Sequence, residues 1–345
     1  MITRSGVLRT GFLIGLVAVS SAAVAQDNTQ GNPKAQDNSP EILRPAFDPS
    51  RPAMTLPKAA PPEFDAGLKV PPDLAFGAYQ RGLYVTAMRE AMKRIEANSN
   101  DAPAMALVGE LYRDGLSVKQ SQEEANKWYK LAADRGDPQA QYSLGLSYLE
   151  GRGTAKDPKQ ARAWFEKAAE KNQPAALYNL AVMAIEGEIQ DFKGAAELFR
   201  RSMEGGYPDA AYALSMFYKE GTGVPKDPVM ATSLLKRAAD EKLTPAVVDY
   251  AIALFNGIGT EKNEELAAKY FIRAAWLNAP IAQNRLARLY VVGRGVKPDL
   301  VEAMKWHVLA RANGVPDEWL DDKLRTLSQG QKAAVDEAIQ RFLGK

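Results

Sequence analysis

The 345-residue chain has no cysteine and a single histidine, His307. Without thiols there is no disulfide framework, no thiolate zinc or iron–sulfur site and no cysteine nucleophile. One imidazole rules out a multi-histidine metal centre, and any serine–histidine relay would have to run through His307. Long apolar runs are also missing. The stretch from Gly11 to Val19 is far short of the roughly 20 residues that span a bilayer, and no later segment is long enough. Few enzyme classes survive these absences, whereas 46% hydrophobic and 25% charged residues are ordinary for a globular protein.

What is present begins with an address. Arg4 and Arg9 precede the apolar run, and Ala23-Val24-Ala25 ahead of Gln26 fits a signal-peptidase site. Residues 1–25 therefore read as a cleaved leader, and the mature protein as periplasmic or secreted. No cysteine follows the cleavage site, which excludes a lipoprotein anchor. Taking the two leader arginines from 44 basic residues leaves 42, matching the 42 acidic ones. A formally neutral chain lacks the concentrated basic footprint of bulk nucleic-acid binding. Residues 26–73 hold ten of the 21 prolines and few large apolar residues. Such a stretch cannot bury enough surface to offset the entropy of ordering, so it reads as a disordered, proline-rich linker.

Beyond it the chain repeats. A large slot is filled by Trp128, Trp164, Leu198, Leu234, Tyr270 and Trp306, at spacings of 36, 34, 36, 36 and 36 residues. A small slot at Gly109, Gly145, Ala181, Ser215, Ala251 and Ala287 is followed three positions on by Tyr112, Tyr148, Ala184, Tyr218, Leu254 and Tyr290, a helical spacing. Each of the six units parses as two helices joined by a glycine turn, as in Gly151-Arg152-Gly153, Gly221-Thr222-Gly223, Gly257-Ile258-Gly259 and Gly293-Arg294-Gly295. Glycine suits the left-handed residue that commonly ends a helix. Ser121 with Glu124, Asp157 with Gln160, and Asp299 with Glu302 form capping-box patterns, and Pro158 and Pro228 fall at first helical positions. A single G-x-G suggests a phosphate loop, but recurrence at the repeat spacing makes these turns structural.

The second unit, Ala140-x-x-x-Leu144-Gly145-x-x-Tyr148-x-x-Gly151-x-Gly153 followed by Asp157-x-x-x-Ala161-x-x-Trp164-Phe165-x-x-Ala168-Ala169, resembles the Sel1-like repeat family, relatives of tetratricopeptide repeats. The resemblance covers residues 102–314. It implies an all-α fold, a right-handed α/α superhelical solenoid used for protein contacts, with no catalytic residue or cofactor to carry over. Ser117 stands where unit one would have its second turn glycine, and unit three is two residues shorter. Residues 74–101 read as a truncated helical hairpin, and residues 315–345 as capping helices, as open-ended arrays require.

If the geometry follows that of tetratricopeptide repeats, the concave face carries Tyr142, Tyr178, Tyr212, Val248 and Asn284 in successive units, then Leu146, Val182, Met216, Ile252 and Arg288. An aromatic ladder beside flexible apolar groups suits an extended peptide or a partner helix; the alternative is packing within the superhelix. The sixth unit carries Arg285, Arg288, Arg294, Lys297, Lys305 and Arg311 against Asp299 and Glu302, a local basic end for an acidic partner or a solvated face. The candidate protein-binding residues are thus Tyr142, Tyr178, Tyr212, Met216, Asn284, Arg285 and Arg288.

Catalytic signals are sparse. Ser233-x-x-Lys236 has the spacing of penicillin-recognising serine enzymes without their companion motifs. His307 sits in a position otherwise held by Tyr129, Phe165, Phe199, Leu235 and Phe271, where it reads as a substitute for an aromatic ring. The expectation is a non-enzymatic scaffold or adaptor of the bacterial envelope that binds a protein in the periplasm or inner membrane. Alternatives are an accessory factor for peptidoglycan-remodelling enzymes and, in another class, a serine-type hydrolase. No transmembrane segment is expected after leader cleavage.

Overall fold

Asp residues and prolines decide where the helices begin. In the computed structural model, which describes residues 73–344 except 188, Asp101, Asp137, Asp157, Asp191, Asp227 and Asp299 each cap a helix by accepting a backbone N–H from its first turn. Proline holds the first helical position after several of them, where its missing N–H costs nothing. The leader and most of the proline-rich stretch lie outside the described residues. Asp73, assigned to that stretch above, instead caps the first helix through a bond from Phe76 N–H of 3.0 Å.

Sixteen helices and no strand occur among the described residues. A short pair, α1 (Leu74–Gln80) and α2 (Tyr84–Ala97), precedes twelve helices of 13 residues each, about 20 Å long. The first helices of the six units are α3 (Ala102–Asp114), α5 (Pro138–Glu150), α7 (Pro174–Glu186), α9 (Pro208–Glu220), α11 (Thr244–Asn256) and α13 (Pro280–Val292). The second helices are α4 (Gln122–Asp134), α6 (Pro158–Glu170), α8 (Phe192–Glu204), α10 (Pro228–Asp240), α12 (Glu264–Trp276) and α14 (Leu300–Ala312). Two more, α15 (Glu318–Arg325) and α16 (Gln329–Phe342), close the array. From α1 to α15 each helix packs on its neighbours in sequence, the arrangement of an α/α solenoid, and α16 packs back on α14.

Within a unit, a ring from the second helix fills the small slot of the first. A Cβ added to Gly109 would stand 2.6 Å from the Tyr129 ring, and one added to Gly145 the same distance from Phe165. Ala181 and Phe199 share a buried cluster in unit three, and the buried Ala251, Phe271, Ala287 and His307 occupy the matching positions of units five and six. Between units, the second turn glycine does more than end a helix. Gly259 has φ +65° and lies so close to the Pro228 carbonyl of the preceding unit that a Cβ would overlap it; Gly295 stands in the same relation to the Glu264 carbonyl. Asn126 and Thr232 reinforce this joint by donating to the carbonyls of Arg152 and Ile258 in the next turn, at 2.6 and 2.8 Å.

The turns from one unit to the next repeat a second left-handed residue. Gly136, Asn172, Gly206, Lys242, Asn278 and Gly314 all have positive φ, and the Lys242 value is +66°. Ser117 also takes the left-handed conformation, at φ +70°, in the place of the glycine that unit one lacks. In the shortened third unit Gly187 is extended instead, and Asp191 N–H bonds the Ala184 carbonyl to start α8.

The ends are tied in by charge and by rings. Arg94 bonds both oxygens of Asp101 at 2.9 Å and pairs with Asp73, joining the caps of α1 and α3. At the other end Phe342 of α16 lies over Trp306 and Trp276, with ring centroids 5.2 and 5.0 Å away. The reciprocal capping box forms at Ser328–Gln331, whereas Glu302, expected to complete one with Asp299, turns to Lys305 at 2.7 Å.

Gly259→Ala combines a left-handed Cβ with a backbone clash and is expected to lower stability by roughly 2–4 kcal/mol. Lys242→Gly relieves the same backbone conformation where there is no clash, and is expected to raise stability by up to about 1 kcal/mol. Thermal unfolding of the two variants checks both signs.

Candidate protein-binding face

The first helices stand side by side and are stitched together by polar side chains. Ser143 of α5 reaches Glu110 of α3 at 3.5 Å, and the Tyr212 hydroxyl of α9 donates to Asp249 of α11 at 2.9 Å. One face of the array is therefore built from first helices alone.

Tyr142, Tyr178 and Tyr212 lie along this face as half-buried rings. Two of them are wedged against second-helix rings, Tyr142 against Phe165 at 5.9 Å and Tyr178 against Phe199 at 5.3 Å, and Tyr178 also meets Tyr207, ahead of α9, at 5.0 Å. Leu146, Val182 and Ile252 are half-buried beside them, while Met216 is buried, with 7% of its surface exposed. The predicted row is thus brought together, but its rings also serve the core, and Met216 belongs to the core.

Carboxylates accompany the rings. Burial, aided by the Glu150 charge, pushes the Tyr142 hydroxyl up to about 12. Burial together with Asp209 and Glu186 raises Tyr178, and burial with Asp249 raises Tyr212, so all three stay protonated. Burial also lifts the Asp249 carboxyl above its ordinary value, which the Tyr212 hydrogen bond only partly offsets, and it lifts Glu186 as well. These acids were missed in the sequence. For Glu150 and Glu186 the signal was there, because Asp114, Glu150, Glu186 and Glu220 recur at the repeat spacing as the last residue of a first helix; Asp209 and Asp249 follow no such row.

The sixth unit departs from expectation. Arg288 grips both oxygens of Asp317 at 2.6 and 2.8 Å, and Asn284 donates to the same carboxylate at 2.8 Å. Both residues thereby anchor the cap of α15, Arg288 while remaining 45% exposed. The basic end is also largely answered: Arg294 pairs with Glu264, Lys305 with Glu302 and Arg311 with Asp321. Among the described residues, Arg285 and Lys297 are left without an ion pair, and Arg285 is exposed. The cause is sequence distance, since Asp317 and Asp321 lie beyond the unit whose charge they balance.

The suspected catalytic groups are engaged elsewhere. The Ser233 hydroxyl donates to the Met230 carbonyl at 2.8 Å, and Lys236 pairs with Asp240 at 2.7 Å. His307 is fully buried in its ring slot, with Nε2 at 2.8 Å from Asp321. No cluster of metal-ligating side chains occurs among the described residues, and no described helix is long and apolar enough to cross a membrane.

A stack of about 36-residue helical hairpins with one continuous first-helix face defines an α/α repeat solenoid of the tetratricopeptide-like class. The chain belongs to the Sel1 repeat family, whose pattern matches residues 102–137, 138–173, 174–207, 208–243, 245–276 and 280–315, more than half of the chain. Among solved structures, it is similar to a Sel1 repeat protein from Oxalobacter formigenes, at 29% identity and a TM-score of 0.60 over 70% of this chain and 97% of that one. It is also similar to c5321, a protective antigen of uropathogenic Escherichia coli with an SLR fold, at 25% identity and a TM-score of 0.51 over 76% of this chain and 64% of that one. Curated relatives include an exopolysaccharide production negative regulator of Rhizobium leguminosarum bv. viciae, 29% identical over 35% of this chain and 51% of that protein. Chitin synthase regulatory factor 2 of Schizosaccharomyces pombe is 39% identical over 29% of this chain and 20% of its own length. The chain spans at most about half the length of these curated relatives. A Sel1 array is a protein-interaction scaffold, and the family is non-catalytic.

Asp317 supplies a pH-dependent test of the cap. Burial raises its carboxyl, but the hydrogen bonds from Arg288 and Asn284 outweigh this and hold it below its ordinary value. Its contribution is therefore present above the unfolded carboxylate pKa and is lost as pH falls through the lower folded value. Arg288→Ala is expected to cost roughly 1–2 kcal/mol near neutral pH, discounted because the arginine is 45% exposed. Melting curves of the two proteins are expected to converge as the pH falls through the lowered folded value of the Asp317 carboxyl.

Proposed function

We propose that this chain is an exported adaptor that binds and regulates or localises a protein of the bacterial envelope through its first-helix face. The single observation that carries the reading is the continuous row of half-buried rings and aliphatic side chains on that face, a surface suited to a polypeptide and without an arranged nucleophile and base. The regulatory names of two relatives support a role in controlling another protein. The basic, apolar and small-residue pattern of residues 1–25 supports export.

Crosslinking capture from envelope extract tests the binding claim. Wild type is expected to recover a specific envelope protein, and Tyr178→Ala with Tyr212→Ala to lose it. Because Tyr178 also packs in the core, Phe199→Leu serves as a control that weakens the same cluster from the second-helix side; it is expected to retain capture. Equal recovery by the double variant, or recovery only on cell-wall material, would contradict the proposal. Export is read separately. The protein from the periplasmic fraction is expected to begin at Gln26, and an intact Met1 in the cytoplasm would overturn that part.

A further inference from the structure

Charge is segregated between the two faces of a protein of formal net charge +2. The first helices α5, α7, α9 and α11 carry five carboxylates, Glu150, Glu186, Asp209, Glu220 and Asp249, against one cation, Lys219. The second helices of the same units, α6, α8, α10 and α12, carry ten lysines and arginines against seven acids. The acids are not scattered on the first-helix face. Tyr212 bonds Asp249, and the charges of Glu186 and Asp209 reach Tyr178, so units three and four each set a carboxylate near a half-buried ring, whereas Glu150 of unit two is already paired with Arg152. Leu146, Val182 and Ile252 fill the intervals with aliphatic surface. The acidic stretch ends at α13, where Arg285 is exposed.

We propose that this face is a docking groove for a positively charged segment of a partner protein, with a Lys or Arg side chain entering each ring-and-carboxylate pair of units three and four. The inference rests on the adaptor reading and adds the chemistry of the partner. A cation beside an aromatic face and a carboxylate gains from both, through the ring quadrupole and through direct pairing. Neighbouring packed helices lie roughly 8–10 Å apart. An extended segment advances about 3.3 Å per residue, so cations at every third position match the repeat, with small or aliphatic residues between them. Burial already holds Glu186 and Asp249 above their ordinary values, and Glu186 has no cationic partner among the described residues. A bound cation would relieve that field. An acidic segment or an anionic envelope polymer would meet like charge along four helices.

The test uses the mature protein and a fluorescein-labelled peptide of repeated Lys-Val-Ser, with repeated Glu-Val-Ser as the opposite-charge probe. The lysine peptide is expected to bind with an affinity that falls as salt rises, and the glutamate peptide not to bind. Glu186→Gln with Asp249→Asn, which keeps an acceptor for Tyr212, is expected to weaken the lysine peptide by about tenfold or more while the melting temperature holds. Equal binding of both peptides, or an unchanged affinity in the double variant, would overturn the inference. Envelope capture with the same variant separates the two levels. A partner recovered equally by wild type and variant leaves the adaptor reading standing and removes the charged groove. Lysine-peptide binding without any captured partner keeps the groove and removes the adaptor.

Discussion

The whole array depends on how closely the turn of one unit approaches the second helix of the unit before it. At Gly259 and Gly295 the backbone lies against the Pro228 and Glu264 carbonyls with no room for a side chain, and both residues use a backbone conformation that favours glycine. That joint sets the distance and register between consecutive hairpins. Everything on the first-helix face inherits its alignment: the tyrosine row, the bond from Tyr212 to Asp249, and the carboxylates that recur at the helix ends. Solenoid stability is the sum of such nearest-neighbour interfaces, so an error at one joint displaces every unit beyond it.

Much of this architecture is legible in the sequence because its causes are local. The spacing of Trp164 and its equivalents, the paired turn glycines and the Asp-Pro starts each belong to one hairpin, and they lead to the helices found from Ala102 to Ala312. His307 as a ring substitute was legible for the same reason, since its slot could be aligned with Phe165 and Phe271. The close approach of the second glycine was not, because it involves the preceding unit, and the sequence reading explained those glycines only as helix stops. Lys242 in a left-handed turn was equally hidden, as nothing in a lysine announces it.

The site was legible in outline and less so in detail. The row Tyr142, Tyr178 and Tyr212 does share a face, yet periodicity alone could not tell that the Tyr142 and Tyr178 rings are also wedged against second helices. Asn284 and Arg288 were read as open binding residues because the alternative partner, Asp317, lies about 30 positions downstream in a segment that does not follow the repeat. The acids beside the rings were overlooked since each one, taken singly, is an ordinary solvated helix residue. Only the stacking of the units turns them into a row. The result is a chain of formal net charge +2 with an acidic and aromatic first-helix row and a more basic second-helix side, a division of charge that net composition conceals.

The claim at the centre of this account is that recognition takes place on the first helices. Hydroxyl-radical footprinting of the protein, with and without a captured partner, addresses it side chain by side chain. Protection at Tyr178, Tyr212 and Ile185, with Met230 and Trp128 on the second helices reacting as in the free protein, is the expected result. Protection at Met230 and Trp128, with the tyrosine row unchanged, would contradict it.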